Sequence, residues 1–240
     1  MSISAFYQCY KQPRAFEHCL QQFRKHYPYA VLWIVNDGGD TDLESIAQRY
    51  NSTYYKYESN ISNETPNTIY NSKSKITSWL NRLRQFLEYT QSDFFILLED
   101  DVFIMKPITV STLQHDINGC NKGVRFPTLI ETLIRSHNPN VPSPLYYGGC
   151  GGCVFRVDFF KRMFAQFDAI QLQIDTFESY SKDFATDLIL SYLTWMNKGT
   201  IDMYPGFAEA WYTDIQERLA TEDIEVLHQF KNLYEGMQTQ

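Results

Sequence analysis

The chain lacks the signals that would place it outside ordinary globular proteins. Its apolar runs, such as Ala30 to Val35 and Phe94 to Leu98, fall far short of the ~20 residues that a bilayer-spanning helix needs. Met1 to Tyr10 has no basic stretch leading into an apolar one, so neither a transmembrane segment nor a secretory leader is expected. Glycine (11) and proline (9) are scarce among 240 residues, and hydrophobic residues make up 44%, which excludes collagen and low-complexity disorder. The five cysteines (Cys9, Cys19, Cys120, Cys150, Cys153) are an odd set without framework spacing, so a reducing compartment is expected and the protein reads as cytoplasmic or otherwise soluble and intracellular. Positive charge is also short: 21 basic residues face 28 acidic ones, and beyond Phe164 only 4 face 13. A polyanion is a poor partner for such a surface, and no nucleic acid is expected.

What is present is an alternation of apolar periods. Ile3 to Tyr7 is β-prone, and Pro13 opens a helical spacing of Phe16, Cys19, Leu20 and Phe23. Ala30 to Val35 reads as a second strand ending in Asn36-Asp37-Gly38-Gly39-Asp40. A helix follows with Leu43, Ile46, Ala47 and Tyr50 on one face, and Thr41 with Glu44 suggests a capping box. Thr53 to Tyr57 is a third strand, Ser59 to Asn71 a polar loop, and Ile76, Trp79, Leu80, Leu83 and Phe86 mark a longer helix before the strand Phe94 to Leu98. Strands alternating with helices predict an α/β sheet of mostly parallel strands, which binds ligands at the carboxyl ends of its strands. Beyond Pro107 the pattern weakens to β-prone pieces at Val124 to Phe126 and Gly152 to Arg156. Two helical segments follow, Asp158 to Phe167 and one carrying Phe184, Leu188, Ser191, Tyr192 and Trp195. No repeat or linker interrupts the chain, so residues 1–240 are expected to form a single domain.

Glu99-Asp100-Asp101 directly follows the buried-type strand. Three adjacent carboxylates repel one another, and a cation is the simplest compensation; a period of two puts Glu99 and Asp101 on one face and Asp100 on the other. An acidic turn in solvent is the plainer alternative. Asp37 could accept a nucleobase N–H, or serve only a turn. Tyr146-Tyr147-Gly148-Gly149-Cys150-Gly151-Gly152-Cys153 has the glycine density of a backbone that approaches a ligand closely. The Cys-x-x-Cys spacing within it lacks the second pair or the helix that zinc or redox chemistry would need. Asp187 falls at or just inside a helix start, where the helix dipole favours its ionised form; general base and first-turn acid are equally good readings. His228 is the only histidine near the C-terminus.

In their order along the chain these motifs resemble the nucleotide-sugar-dependent glycosyltransferases of the type A fold, family 2-like: Asn-Asp-Gly-Gly-Asp, Leu-Leu-Glu-Asp-Asp-Val, Tyr-Tyr-Gly-Gly-Cys-Gly-Gly-Cys-Val-Phe-Arg, Thr-Asp-Leu-Ile-Leu-Ser with Gly199 beyond it, and His-Gln-Phe-Lys. The resemblance implies a single Rossmann-like α/β domain with a central mixed, mostly parallel sheet flanked by helices. Residues 1–107 would bind the nucleotide sugar and 108–240 the acceptor. It makes Asp37 the acid that reads the base and Glu99 to Asp101 the Asp-x-Asp element, with Glu99 and Asp100 on the donor and Asp101 on the metal. Gly149 belongs to the wall of the sugar and acceptor pocket, and Asp187 matches the catalytic acid that activates the acceptor. His228 completes the metal site, and Lys231 contacts the diphosphate. Glu99 stands where the family has its first Asp, and Thr186 where it has Glu.

The function so implied is transfer of a sugar from a UDP- or GDP-sugar to a carbohydrate hydroxyl. It needs a divalent cation, Mn2+ rather than Mg2+ because of the imidazole ligand, and inverts the anomeric centre with Asp187 as base. The alternatives are a retaining transferase on the same fold, a catalytically silent sugar-binding domain, and a sugar nucleotidyltransferase. The last should carry a Gly-rich loop after the first strand, and Ala5 to Arg14 has no glycine.

Overall fold

A computed structural model describes residues 1–9, 12–38, 41–57, 72–119, 125–143, 145, 147–210 and 214–228. Its elements run β1 (Ile3–Cys9), α1 (Pro13–His26), β2 (Leu32–Asn36), α2 (Glu44–Arg49), β3 (Thr53–Lys56), α3 (Lys73–Tyr89), β4 (Phe94–Leu98), β5 (Phe103–Ile104), β6 (Ile117–Asn118), α4 (Thr128–His137), β7 (Val154–Arg156), α5 (Val157–Phe164), α6 (Phe167–Glu178), α7 (Thr186–Met196), β8 (Ile201–Asp202), β9 (Phe207–Glu209), α8 (Ile215–Thr221) and β10 (Val226–His228).

The main sheet has the order β3-β2-β1-β4-β7-β6-β8. Strands β1, β2, β3 and β4 are mutually parallel where they pair, and β7 runs antiparallel to both β4 and β6. This is the expected mixed, mostly parallel α/β sheet. Because β2 lies on one side of β1 and β4 on the other, the chain reverses its direction of winding beside β1. In sheets of this kind ligands bind at the carboxyl ends beside such a reversal.

Strand alternation builds a core on each face of the sheet. Phe6, Trp33, Val35, Phe95 and Leu97 pack with α3, α5 and α7, while Ala5, Tyr7, Ile34, Ile96 and Leu98 pack with α1. All five residues of β4 are buried, which is why its sequence is an unbroken apolar run. A second sheet, β5-β10-β9, shares no ladder with the first but packs on its α1 side through Ile104, Phe207 and Val226; β10 is antiparallel to β5 and parallel to β9. It carries the C-terminal end of the described chain to the site.

Several local expectations need correction. The Thr41–Glu44 capping box does not form: α2 is preceded by Leu43, and Asp42 Oδ1 accepts the Glu44 N–H at 3.0 Å. The helix expected over Asp158 to Phe167 ends at Phe164, and α6 starts afresh at Phe167. Arg125 and Phe126 are not in a strand, although Phe126 is in the core, and Val124 and the loop 59–71 lie outside the described residues. Phe184 is buried but precedes α7. Among the described residues no helix is long and apolar enough to cross a membrane.

Candidate active site

Three side chains converge beyond the carboxyl end of β4. The backbone leaves the strand at Leu98 and turns, with the Val102 N–H donating to the Glu99 carbonyl at 3.1 Å. The turn sends Glu99 and Asp101 towards His228 at the end of β10. His228 Nε2 lies 3.6 Å from Glu99 Oε2 and 3.7 Å from Asp101 Oδ1. Asp100 points elsewhere and accepts the Tyr7 hydroxyl at 3.1 Å. The split of Glu99 and Asp101 from Asp100 is thus the expected one, although a turn produces it rather than strand pleating.

These residues fit a divalent cation. Their ligand atoms lie within 4.8 Å of one another, and bonds of ~2.0–2.6 Å to a hard cation need ligand atoms roughly 3–3.7 Å apart. Two carboxylates and one imidazole form a mixed oxygen–nitrogen donor set of the kind that divalent cations accept. Gly151 keeps the approach open: a Cβ there would come 2.8 Å from Glu99 Oε2 and 3.0 Å from His228 Nε2. Behind His228, Nδ1 lies 2.9 and 3.0 Å from the two carboxylate oxygens of Glu209. Burial disfavours the imidazolium, but the charge of Cys150 and hydrogen bonding to Cys150, Glu209 and Glu99 outweigh it and hold His228 well above its ordinary range.

The glycine segment lies between this cluster and the start of α7. Gly148 is tied to Ser191 of α7, whose hydroxyl accepts the Gly148 N–H at 2.9 Å and donates back to its carbonyl. At Gly149 φ is +91°, and a Cβ would be 3.5 Å from Asp187 Cα, so a residue without a side chain is needed there. Asp187 is the second residue of α7 and accepts the Leu188 N–H at 2.8 Å. The helix start does favour the ionised form of Asp187 through the Leu188 N–H, but it is outweighed: burial pushes the carboxyl up to about 6, against hydrogen bonds from Tyr147 and Leu188, with Glu99 and Asp183 adding to the rise. Desolvation at a packed glycine wall outweighs a helix end. The capping task at this turn falls to Asp183, exposed, whose Oδ1 accepts the Ala185 N–H at 3.2 Å.

Asp37 follows β2 and is fully buried in an ion pair with Arg82 Nη1 at 2.6 Å. The Arg82 guanidinium lies 3.8 Å over the Tyr57 ring. Lys231 lies outside the described residues, and Cys150 and Cys153 are free thiols 3.6 Å apart. Arg82, Tyr147 and Glu209 were not singled out from the sequence. Arg82 left a signal, since a cation amid the buried spacing of Trp79, Leu83 and Phe86 demands a partner. Glu209, in a three-residue strand, left none.

No family model and no curated protein sequence matches the chain. Among solved structures, it superposes on the galactosyltransferase LgtC in complex with donor and acceptor sugar analogues, with TM-score 0.56, 12% identity, and 93% of this chain and 86% of that one covered. An active-site mutant of LgtC gives TM-score 0.57 and 13% identity over the same shares. TarS of S. aureus gives TM-score 0.51 and 14% identity over 85% of this chain and 35% of that one. The chain has the type A glycosyltransferase fold.

Proposed function

We propose that the protein is a divalent-metal-dependent glycosyltransferase moving a sugar from a nucleoside-diphosphate donor, a UDP- or GDP-sugar, to a hydroxyl of a carbohydrate acceptor. The observation that carries this reading is the convergence of Glu99, Asp101 and His228 at the carboxyl end of β4. The fold shared with a galactosyltransferase whose structure holds donor and acceptor analogues supports it.

Asp101 and His228 would hold the cation, with Glu99 beside them. Bound there, Mn2+ or Mg2+ supplies the positive charge that stabilises the departing nucleoside diphosphate. Asp37, fixed by Arg82, reads the base, and Asp100 is steadied by Tyr7 on the donor side. Lys231 is assigned to the diphosphate by its motif alone. Asp187 takes the proton of the acceptor hydroxyl as that oxygen attacks the anomeric carbon. Its raised carboxyl keeps it basic enough to accept a proton while it is still mostly ionised at neutral pH. Attack from the face opposite the leaving group inverts the centre.

A thermal-shift series of UDP, GDP and their sugars, with Mn2+ and with chelator, tests the reading. A ligand at 100 times its dissociation constant stabilises by ~2.7 kcal/mol, so metal-dependent shifts with one nucleotide are expected, followed by donor hydrolysis. Absence of both, with every nucleotide, would return the chain to a silent binding domain.

A further inference from the structure

We propose that Glu209 is a positioning residue for the cation site: by holding the Nδ1 side of His228 it presents Nε2 to the ion held with Glu99 and Asp101. This rests on the metal reading above. The geometry is direct. In the parallel pairing of β9 and β10, Glu209 is the register partner of His228, and the Ala210 N–H donates to the His228 carbonyl at 2.8 Å. Both Glu209 oxygens face Nδ1, while the opposite nitrogen faces Glu99 and Asp101. A histidine that donates Nδ1–H to a carboxylate has its lone pair at Nε2, its ring fixed and its basicity raised.

Packing alone gives no reason for the carboxylate. Glu209 is 0% exposed, and its neighbours in the two strands, Phe207, Ala208, Val226 and Leu227, are apolar and buried. An apolar residue there would spare the cost of desolvating a charge. Among the described residues the carboxylate meets the histidine ring at both oxygens and accepts a longer contact from the Cys150 thiol at 3.6 Å. The same three side chains, Cys150, Glu209 and His228, are close enough to hold an ion themselves, which the test must separate.

Mn2+ binding to the folded protein, followed by calorimetry and by the loss of the free-ion spin-resonance signal, is measured for wild type, Glu209→Gln and Glu209→Leu, with melting temperatures taken in chelator. Glutamine keeps an acceptor for Nδ1–H and leucine keeps only bulk. The expected result is a roughly 10- to 100-fold weaker Mn2+ affinity for Glu209→Leu and a smaller loss for Glu209→Gln. If Glu209→Leu does not fold, Glu209→Gln must still bind measurably more weakly than wild type. Equal affinity in wild type and the folded variants overturns the role of Glu209 alone. No saturable Mn2+ binding by wild type overturns the metal reading and this inference with it. Co2+ is the last probe: a sulfur-to-cobalt charge-transfer band that Cys150→Ser abolishes would put the ion on the Glu209 side of the ring and overturn the proposal, and an oxygen–nitrogen spectrum is expected.

Discussion

Gly151 faces His228 with no side chain between them: a methyl group on Gly151 would lie 3.0 Å from Nε2. The backbone of Gly151 is not left-handed, so alanine brings no backbone strain. Its methyl would also come 2.9 Å from Val102 Cγ2, and melting temperatures are therefore measured alongside. Either the methyl crowds the cation or Glu99, at 2.8 Å, swings away from it. An overpacking cost of about 1–3 kcal/mol corresponds to a roughly 10- to 100-fold loss of Mn2+ affinity in Gly151→Ala. Calorimetric titration of Mn2+ checks this, and wild-type affinity would remove Gly151 from the site.

Asp101→Ala is expected to abolish the metal dependence of nucleotide binding. Asp101 is buried and faces His228, so on the proposed reading its loss removes a hard oxygen ligand of the cation. Titrating the nucleoside diphosphate with Mn2+ and then with chelator should give two different affinities in wild type and one, the weaker, in the variant. Two different affinities in Asp101→Ala would move the ion elsewhere.

The Asp37–Arg82 pair predicts a stability effect distinct from any loss of activity. Arg82→Met takes the guanidinium from a fully buried carboxylate, and breaking a buried pair costs about 3–5 kcal/mol. For a chain of this size that is a fall of roughly 10 °C in melting temperature. Arg82→Met combined with Asp37→Asn should recover part of it while losing nucleotide affinity. A scan showing Arg82→Met as stable as wild type would mean that the pair contributes little.

The first half of the fold was legible because its strands are long enough to show themselves: Phe94 to Leu98 is apolar throughout, and α3 repeats its apolar residues from Ile76 to Leu87, about three turns. The polar residues at those strand ends, Asp37 and Glu99 to Asp101, were legible for the same reason. Strands of two or three residues, such as β5, β9 and β10, are too short for a period, so the second sheet was invisible. With it went Glu209, which is brought to His228 Nδ1 by the pairing of β9 with β10. The place of Asp187 at a helix start was legible, but not the size of its pKa rise, because the glycine segment packed beside this half-buried residue comes from nearly forty residues earlier in the chain. Local dipoles are readable from sequence, and burial is not.

That burial gives Asp187→Asn two opposite expected effects. Asp187 has its carboxyl raised from an ordinary 3.8 to about 6, so between those values the native state binds a proton that the unfolded chain releases. Its contribution to stability is therefore most favourable below the unfolded value, falls as pH rises through this window, and above it is a standing penalty on the order of 2 kcal/mol. Asparagine removes the titration. Melting curves should show Asp187→Asn close to wild type at the acid end and more stable by several degrees at pH well above 6. Turnover should move the other way, falling roughly 100- to 10,000-fold because an amide cannot take the acceptor's proton, while donor affinity stays nearly constant. Wild-type turnover should itself decline about tenfold per pH unit below about 6. Asp183→Asn is the control: its side chain is exposed and caps the turn before α7, so a near-normal rate and no pH-dependent gain in stability are expected. A stabilised Asp187→Asn with full turnover would leave the burial argument standing and take the general base away from this residue; an inactive Asp183→Asn beside it would give that role to the preceding turn.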